Sequence, residues 1–124
     1  MKLLSIIELG GYPNLLPLYQ RLGFDVDAVN SQRKARAYLK KTIPDVIVAE
    51  YIFQSDFRDR SSNLESLLGR LQRYPDCRVV VFYELEQVGR LLRLRERFNV
   101  SDALPFPIEE ARLEAVLSRV STEG

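Results

Sequence analysis

Five short apolar runs recur along this chain, each followed by a stretch whose apolar residues fall at helical spacing. That alternation limits the possible folds more than any other feature. The runs lie at residues 2–9, 24–29, 45–49, 77–83 and 101–106. Runs this short, bounded by glycine, proline and asparagine, read as strands, and the continuous ones read as strands covered on both faces. The second differs: Phe24, Val26 and Ala28 alternate with Asp25 and Asp27, the pattern of a more exposed strand. Between and after the runs lie five amphipathic stretches. Residues 15–22 carry Leu15, Leu18, Tyr19 and Leu22, with Gly23 as the stop signal; Ser31 caps a helix through Ala35, Tyr38 and Leu39 that must end by Pro44. Residues 64–74 place Leu64, Leu67, Leu68 and Leu71 on one face. Residues 86–98 do the same with Val88, Leu91, Leu92 and Phe98, and residues 108–120 with Ile108, Ala111, Leu113, Val116, Leu117 and Val120.

A strand followed by a helix and another strand implies parallel pairing, because a parallel neighbour is reached only by a crossover. Five such units give an α/β fold, a doubly wound sheet with helices on both faces. At 124 residues the chain suits one domain, taken as residues 1–120 with 121–124 as a tail or shortened linker. Doubly wound sheets place their sites at the carboxyl ends of the strands, where strand order reverses. That singles out residues 7–10, 50–53, 83–85 and 105–107.

Composition narrows the chemistry. The net charge of +1 gives no global reason to expect nucleic acid or membrane as a partner. No apolar run approaches the length of a bilayer span, and no signal peptide is visible. One cysteine, Cys77, excludes an internal disulfide and fits a reducing, cytoplasmic setting; at a strand start it reads as a small core residue. The chain has no histidine, so the commonest general base and metal ligand is missing. There is no Gly-x-Gly-x-x-Gly loop and no nucleophile–base pair. These features point away from an enzyme, a bound cofactor or a resident metal.

The stretch Pro44-Asp45-Val46-Ile47-Val48-Ala49-Glu50 resembles the receiver domains of bacterial response regulators, with Glu50 at the position of the phospho-acceptor aspartate. Leu22-Gly23-Phe24-Asp25-Val26 is similar to the family's exit from its first helix into its second strand. Ser101-Asp102-Ala103-Leu104-Pro105-Phe106-Pro107 is similar to the strand that in the family ends in a lysine–proline pair. The resemblance covers nearly the whole chain in order. It implies a flavodoxin-like, five-stranded parallel sheet in the order 2-1-3-4-5 and a role in two-component signalling and phosphorelay.

For chemistry the resemblance implies loss. Phosphoryl transfer to a carboxylate needs a nucleophile, a hard cation and a fixed positive charge. Where the family places an acidic, Mg²⁺-binding pair, this chain has Ile7-Glu8-Leu9, and only Glu8 could contribute. Glu50 carries its carboxylate about one bond length further than aspartate, enough to spoil in-line geometry. Tyr83 stands at the position of a threonine or serine, and Phe106 at that of the lysine, followed by Pro107. The expected site is thus a degenerate phospho-acceptor pocket of Glu8, Glu50, Tyr83, Phe106 and Pro107. The resemblance also implies a cis Phe106–Pro107 bond; the loop at 54–63, polar and without apolar anchors after Phe57, is expected to be the most mobile part of the chain.

The helix at 86–98 carries Arg90, Arg93, Arg95 and Arg97. In the family, the face formed by the fourth helix, fifth strand and fifth helix serves dimerisation and output. Here Asp102, Glu109, Glu110 and Glu114 are available opposite Arg90, Arg93 and Arg97, so a two-fold homodimer pairing the two sets is expected alongside the alternative of a solvated charged face. The resulting reading is a cytoplasmic pseudo-receiver, a regulatory or protein-interaction module with an unknown protein partner and no nucleic acid or membrane contact. The alternatives are a receiver still phosphorylated or metal-responsive through Glu8 and Glu50, and a small flavodoxin-like ligand binder or enzyme.

Overall fold

The structure, a computed structural model, describes residues 1–9, 14–52 and 64–123, without the side chains of 121–123. Five strands, β1 (Lys2–Ile6), β2 (Asp25–Val29), β3 (Val46–Glu50), β4 (Arg78–Tyr83) and β5 (Asp102–Pro105), form one sheet in the order β2-β1-β3-β4-β5. Every pairing is parallel. Five helices connect or follow them: α1 (Leu16–Arg21), α2 (Gln32–Leu39), α3 (Glu65–Leu71), α4 (Val88–Arg97) and α5 (Glu110–Glu123). A 3₁₀ turn at Leu85–Gln87 leads into α4. Helix α5 runs as far as Glu123.

Local signals account for the boundaries. Ser31 caps α2, its hydroxyl accepting the Lys34 N–H at 3.1 Å. Asn14, one residue before the N-cap of α1, accepts the Leu16 N–H at 3.1 Å in an Asx-type turn, and Pro17 is set where the helix needs no donor. Gly23 ends that helix at φ +90°, a conformation that side-chain-bearing residues rarely adopt.

Two apolar layers sandwich the sheet. Leu4, Ile6, Ile47, Ala49, Val79 and Val81 face α2, α3 and α4, while Leu3, Val46, Val48, Val80, Phe82 and Leu104 face α1 and α5. All five residues of β3 are buried, as a central strand of a doubly covered sheet requires. The helical wheels hold with three exceptions. Val88 and Leu92, expected in the core face of α4, are 42% and 55% exposed, and Leu94 is buried there with Leu91 instead. Ala111 of α5 is exposed. The α4 seam runs through Leu91 and Leu94, which leaves an apolar stripe of Leu85, Val88 and Leu92 on the surface. The loop expected at 54–63 lies outside the described residues.

Candidate functional site

The sheet order places β1 and β3 side by side at the centre, while the chain leaves β1 towards β2 and leaves β3 towards β4. Their carboxyl ends therefore diverge over a crevice. Glu50, the last residue of β3, projects into it and is only 3% exposed. Its Oε1 accepts the backbone N–H of Glu8 and, at 2.9 Å, that of Leu9, both just past the end of β1. The carboxylate thus bridges the two central strands, using charge-assisted bonds to donors that the parallel ladder no longer pairs.

Glu8 is turned towards the opposite neighbour. Its Oε2 accepts the side-chain amide of Gln32 at 3.2 Å, from the first turn of α2. The crevice consequently holds two carboxylates, each with N–H donors of its own. Among the described residues no three His, Cys, Asp or Glu side chains gather into a ligand set. Mg²⁺ favours near-octahedral oxygen ligands. Of the carboxylate oxygens in the crevice, Oε1 of Glu50 is taken by two backbone donors and Oε2 of Glu8 by an amide.

The remaining pocket residues belong to the two apolar layers. Tyr83, at the end of β4, is half-buried against the layer of α2, α3 and α4. Tyr51 follows Glu50, is 6% exposed in the same layer, and its phenol is pushed up by burial. Phe106 turns to the other side, packing with the α1 and α5 layer, its ring edge-on to Phe82 at 6.3 Å and 75°. The Phe106 N–H donates to the Tyr83 carbonyl at 2.9 Å, and the Phe106–Pro107 bond is cis, as expected from sequence. Where the receiver pattern has a hydroxyl and an ammonium converging on the acceptor, this chain has two rings parting into opposite layers.

Several of the charged residues of α4, β5 and α5 find partners within the chain. Arg97 reaches Glu65 of α3 at 3.8 Å and lies 5.1 Å above the ring of Phe98. Glu114 takes Arg21 of α1 at 3.2 Å, and Asp102 takes Arg119 at 3.4 Å. Arg90 donates to Gln87 at 3.3 Å. Arg93, Glu109 and Glu110 are exposed. Arg97 and Glu114 therefore look outwards to α3 and α1, on the flanks away from β5. The large apolar side chains exposed on α4 and the turn before it are Leu85, Val88 and Leu92. Sequence reasoning missed Gln32, whose approach to Glu8 depends on the β1–β2 pairing, and this stripe, whose signal was masked by the helical spacing of core leucines.

By sequence, no family model and no curated protein matches the chain. By structure, matches are extensive. A response regulator receiver domain from Clostridium thermocellum superposes with a TM-score of 0.74 at 17% identity, covering 98% of this chain and 94% of that one. This chain has the receiver fold. NtrX from Brucella abortus gives a TM-score of 0.76 at 16% identity, with 98% of this chain covering 27% of NtrX. A member of a family of streptococcal redox sensors that evolved from two-component response regulators gives 0.71 at 19% identity, over 99% of this chain and 52% of that protein. The chain thus corresponds to one part of those two longer proteins. No helix among the described residues is long and apolar enough to cross a membrane.

Proposed function

We propose that this chain is a degenerate receiver domain, a cytoplasmic regulatory module of bacterial signal transduction that works without being phosphorylated. The observation that carries the reading is the Glu50 carboxylate, buried and engaged by the N–H groups of Glu8 and Leu9 at the acceptor position. An in-line nucleophile needs an exposed oxygen facing the donor; residue 50 is 3% exposed and its Oε1 faces the backbone. Phe106 in place of the lysine removes the fixed charge of the expected mechanism. The streptococcal sensors, described as evolved from response regulators, supply a precedent for this fold serving a different signal.

The module acts through its surface. Self-association through α4, β5 and α5 is part of the reading, and the exposed Leu85, Val88 and Leu92 supply apolar area for it. The interface charges Arg90, Arg93, Asp102, Glu109 and Glu110 would form its rim, whereas Arg97 and Glu114 are engaged on other flanks.

The test is incubation with acetyl phosphate and Mg²⁺ followed by intact-mass measurement, with an active receiver treated in parallel. No phosphoryl adduct is expected. An adduct that disappears in Glu50→Gln would overturn the proposal and restore the reading of a modified but working acceptor.

A further inference from the structure

Charge on this chain sums to +1, yet it is segregated. Residues 31–43, comprising α2 and its exit, hold Arg33, Lys34, Arg36, Lys40 and Lys41 and no acid. Helix α3 and its exit add Arg70 and Arg73 against two acids: Glu65, which is itself taken by Arg97, and Asp76 in the turn into β4. All seven cations are exposed. None of the seven takes part in an ion pair among the described residues, whereas Lys2, Arg21, Arg97 and Arg119 do.

Between α2 and α3 lies an open cleft of about 400 Å³, lined by Leu39, Lys40, Gly69, Arg70, Arg73 and Tyr74. Arg70 is laid across its edge, Nη1 donating to the Arg36 carbonyl at 3.3 Å. Tyr74 is 41% exposed, one of the few large apolar side chains left in solvent. Both helices run counter to the strands, so their C-terminal ends and this cleft lie at the edge of the sheet opposite Glu8 and Glu50.

Helix electrostatics explain only part of the arrangement. Arg36 and Arg70 stand in the last turns of their helices, where the macrodipole favours cations. Arg33 and Lys34 stand in the first turn of α2, which has no acid, so they oppose the same dipole. Cations placed both with and against the helix field, on one surface and without an acidic partner among the described residues, are arranged for an external anion.

We propose that the α2–α3 face binds single-stranded nucleic acid, its cations tracking the phosphates and Tyr74 stacking a base. A cationic groove with an exposed ring is the combination that single-strand binders use. An acidic protein segment would use the cations but gain no stacking from the ring. The near-neutral total argues against this only as an average over the two sides of the molecule.

The test is fluorescence anisotropy of the whole chain with a labelled oligothymidylate of about 20 nucleotides. If five of the seven cations meet phosphates, log K falls against log salt with a slope of about −3.5, roughly a hundredfold loss between 50 and 200 mM salt. The pair Lys40→Glu with Arg73→Glu should weaken binding at least tenfold and flatten the slope. Tyr74→Ala should weaken it about fivefold or more with the slope retained. Arg33→Glu should weaken binding while raising the melting temperature, since it corrects the first turn of α2. Arg112→Glu on α5 is the matched charge change on another face, and circular dichroism confirms that each variant is folded. Absence of binding at 50 mM salt would overturn the proposal, as would an equal loss from Arg112→Glu. Displacement by polyglutamate as readily as by unlabelled oligonucleotide would also overturn it, assigning the face to an acidic protein.

Discussion

Replacing Glu50 by alanine removes a carboxylate that is 3% exposed and that two backbone N–H groups, those of Glu8 and Leu9, hold in place. Hydrogen bonds to a charged acceptor contribute about 1.5–3 kcal/mol each. Two effects reduce the sum. The Leu9 side chain is 75% exposed, so water can reach the N–H released beside it. Deleting the carboxylate also returns the desolvation cost of burying it, which is of order a few kcal/mol for a charged group. The expected net loss is about 2 kcal/mol. Unfolding entropy near 2.1 cal/mol/K per residue gives about 0.26 kcal/mol/K for a chain this long, so the melting temperature should fall by about 8 °C. Glu50→Gln keeps a carbonyl acceptor of the same reach and loses only the charge assistance, about 1 kcal/mol or about 4 °C. Calorimetric melting measures both, and amide hydrogen exchange at Glu8 and Leu9 should accelerate more in the alanine variant than in the glutamine. If Glu50→Ala melts at or above the parent temperature with unchanged exchange at those two amides, the bridging role assigned to Glu50 is wrong.

The Cys77 thiol is pushed up to about 12, first by burial and then by the charge of Asp45. At about pH 8 the thiolate is roughly one part in ten thousand, so iodoacetamide should label Cys77 only after denaturation, and rapid labelling of the native chain would contradict its core placement. The Tyr38 hydroxyl donates to Asp27 at 2.7 Å, a bond that holds the Asp27 carboxyl below its usual range, while burial and then that same bond push the Tyr38 phenol up. The Asp27 contribution is present at neutral pH and lost as pH falls through its depressed pKa, and the Tyr38 contribution is lost as pH rises beyond about 10. The stability gap between the parent and Tyr38→Phe, from urea titrations, should therefore be widest near neutrality, and a gap constant with pH would refute the coupling. Leu92→Glu should abolish concentration-dependent sedimentation. A parent chain that sediments as a monomer at every concentration removes self-association from the proposed function.

The sheet was legible in the sequence because its information is local and repeated: five apolar runs, five helical wheels, and caps such as Ser31 and Gly23 that name their own boundaries. The register of α4 was not legible. Leu91, Leu92 and Leu94 are chemically equivalent on a wheel, and which two are buried depends on how the helix rolls against α3 and β5. The pocket was half legible. The residue types at Glu8, Glu50, Tyr83 and Phe106 foretold missing chemistry, but their partners did not follow, since Gln32 and the Leu9 N–H reach the crevice only through strand pairing. Charge was the least legible feature. Arg97 and Glu114 look complementary along the chain, yet each is met by an intrachain partner on a third element.

The same bridge bears on whether the acceptor could be restored by a single substitution. Where the parallel ladder ends, the N–H groups of Glu8 and Leu9 project beyond it with no strand to receive them, and an anionic group is their strongest partner. From the end of β3 a glutamate carboxylate spans that gap; an aspartate carboxylate stops about one bond length short. The extra methylene that spoils a phosphoryl-transfer geometry is, on this argument, the one that lets residue 50 fasten the two central strands together. Glu50→Asp should then lower the melting temperature by at least as much as Glu50→Gln, because it withdraws the acceptor instead of neutralising it. It should still gain no phosphoryl adduct from acetyl phosphate, since Ile7 adds no metal ligand and Phe106 adds no cation. An aspartate variant that kept its stability and also acquired an adduct would show that the glutamate braces nothing and that the pocket lacks only its nucleophile.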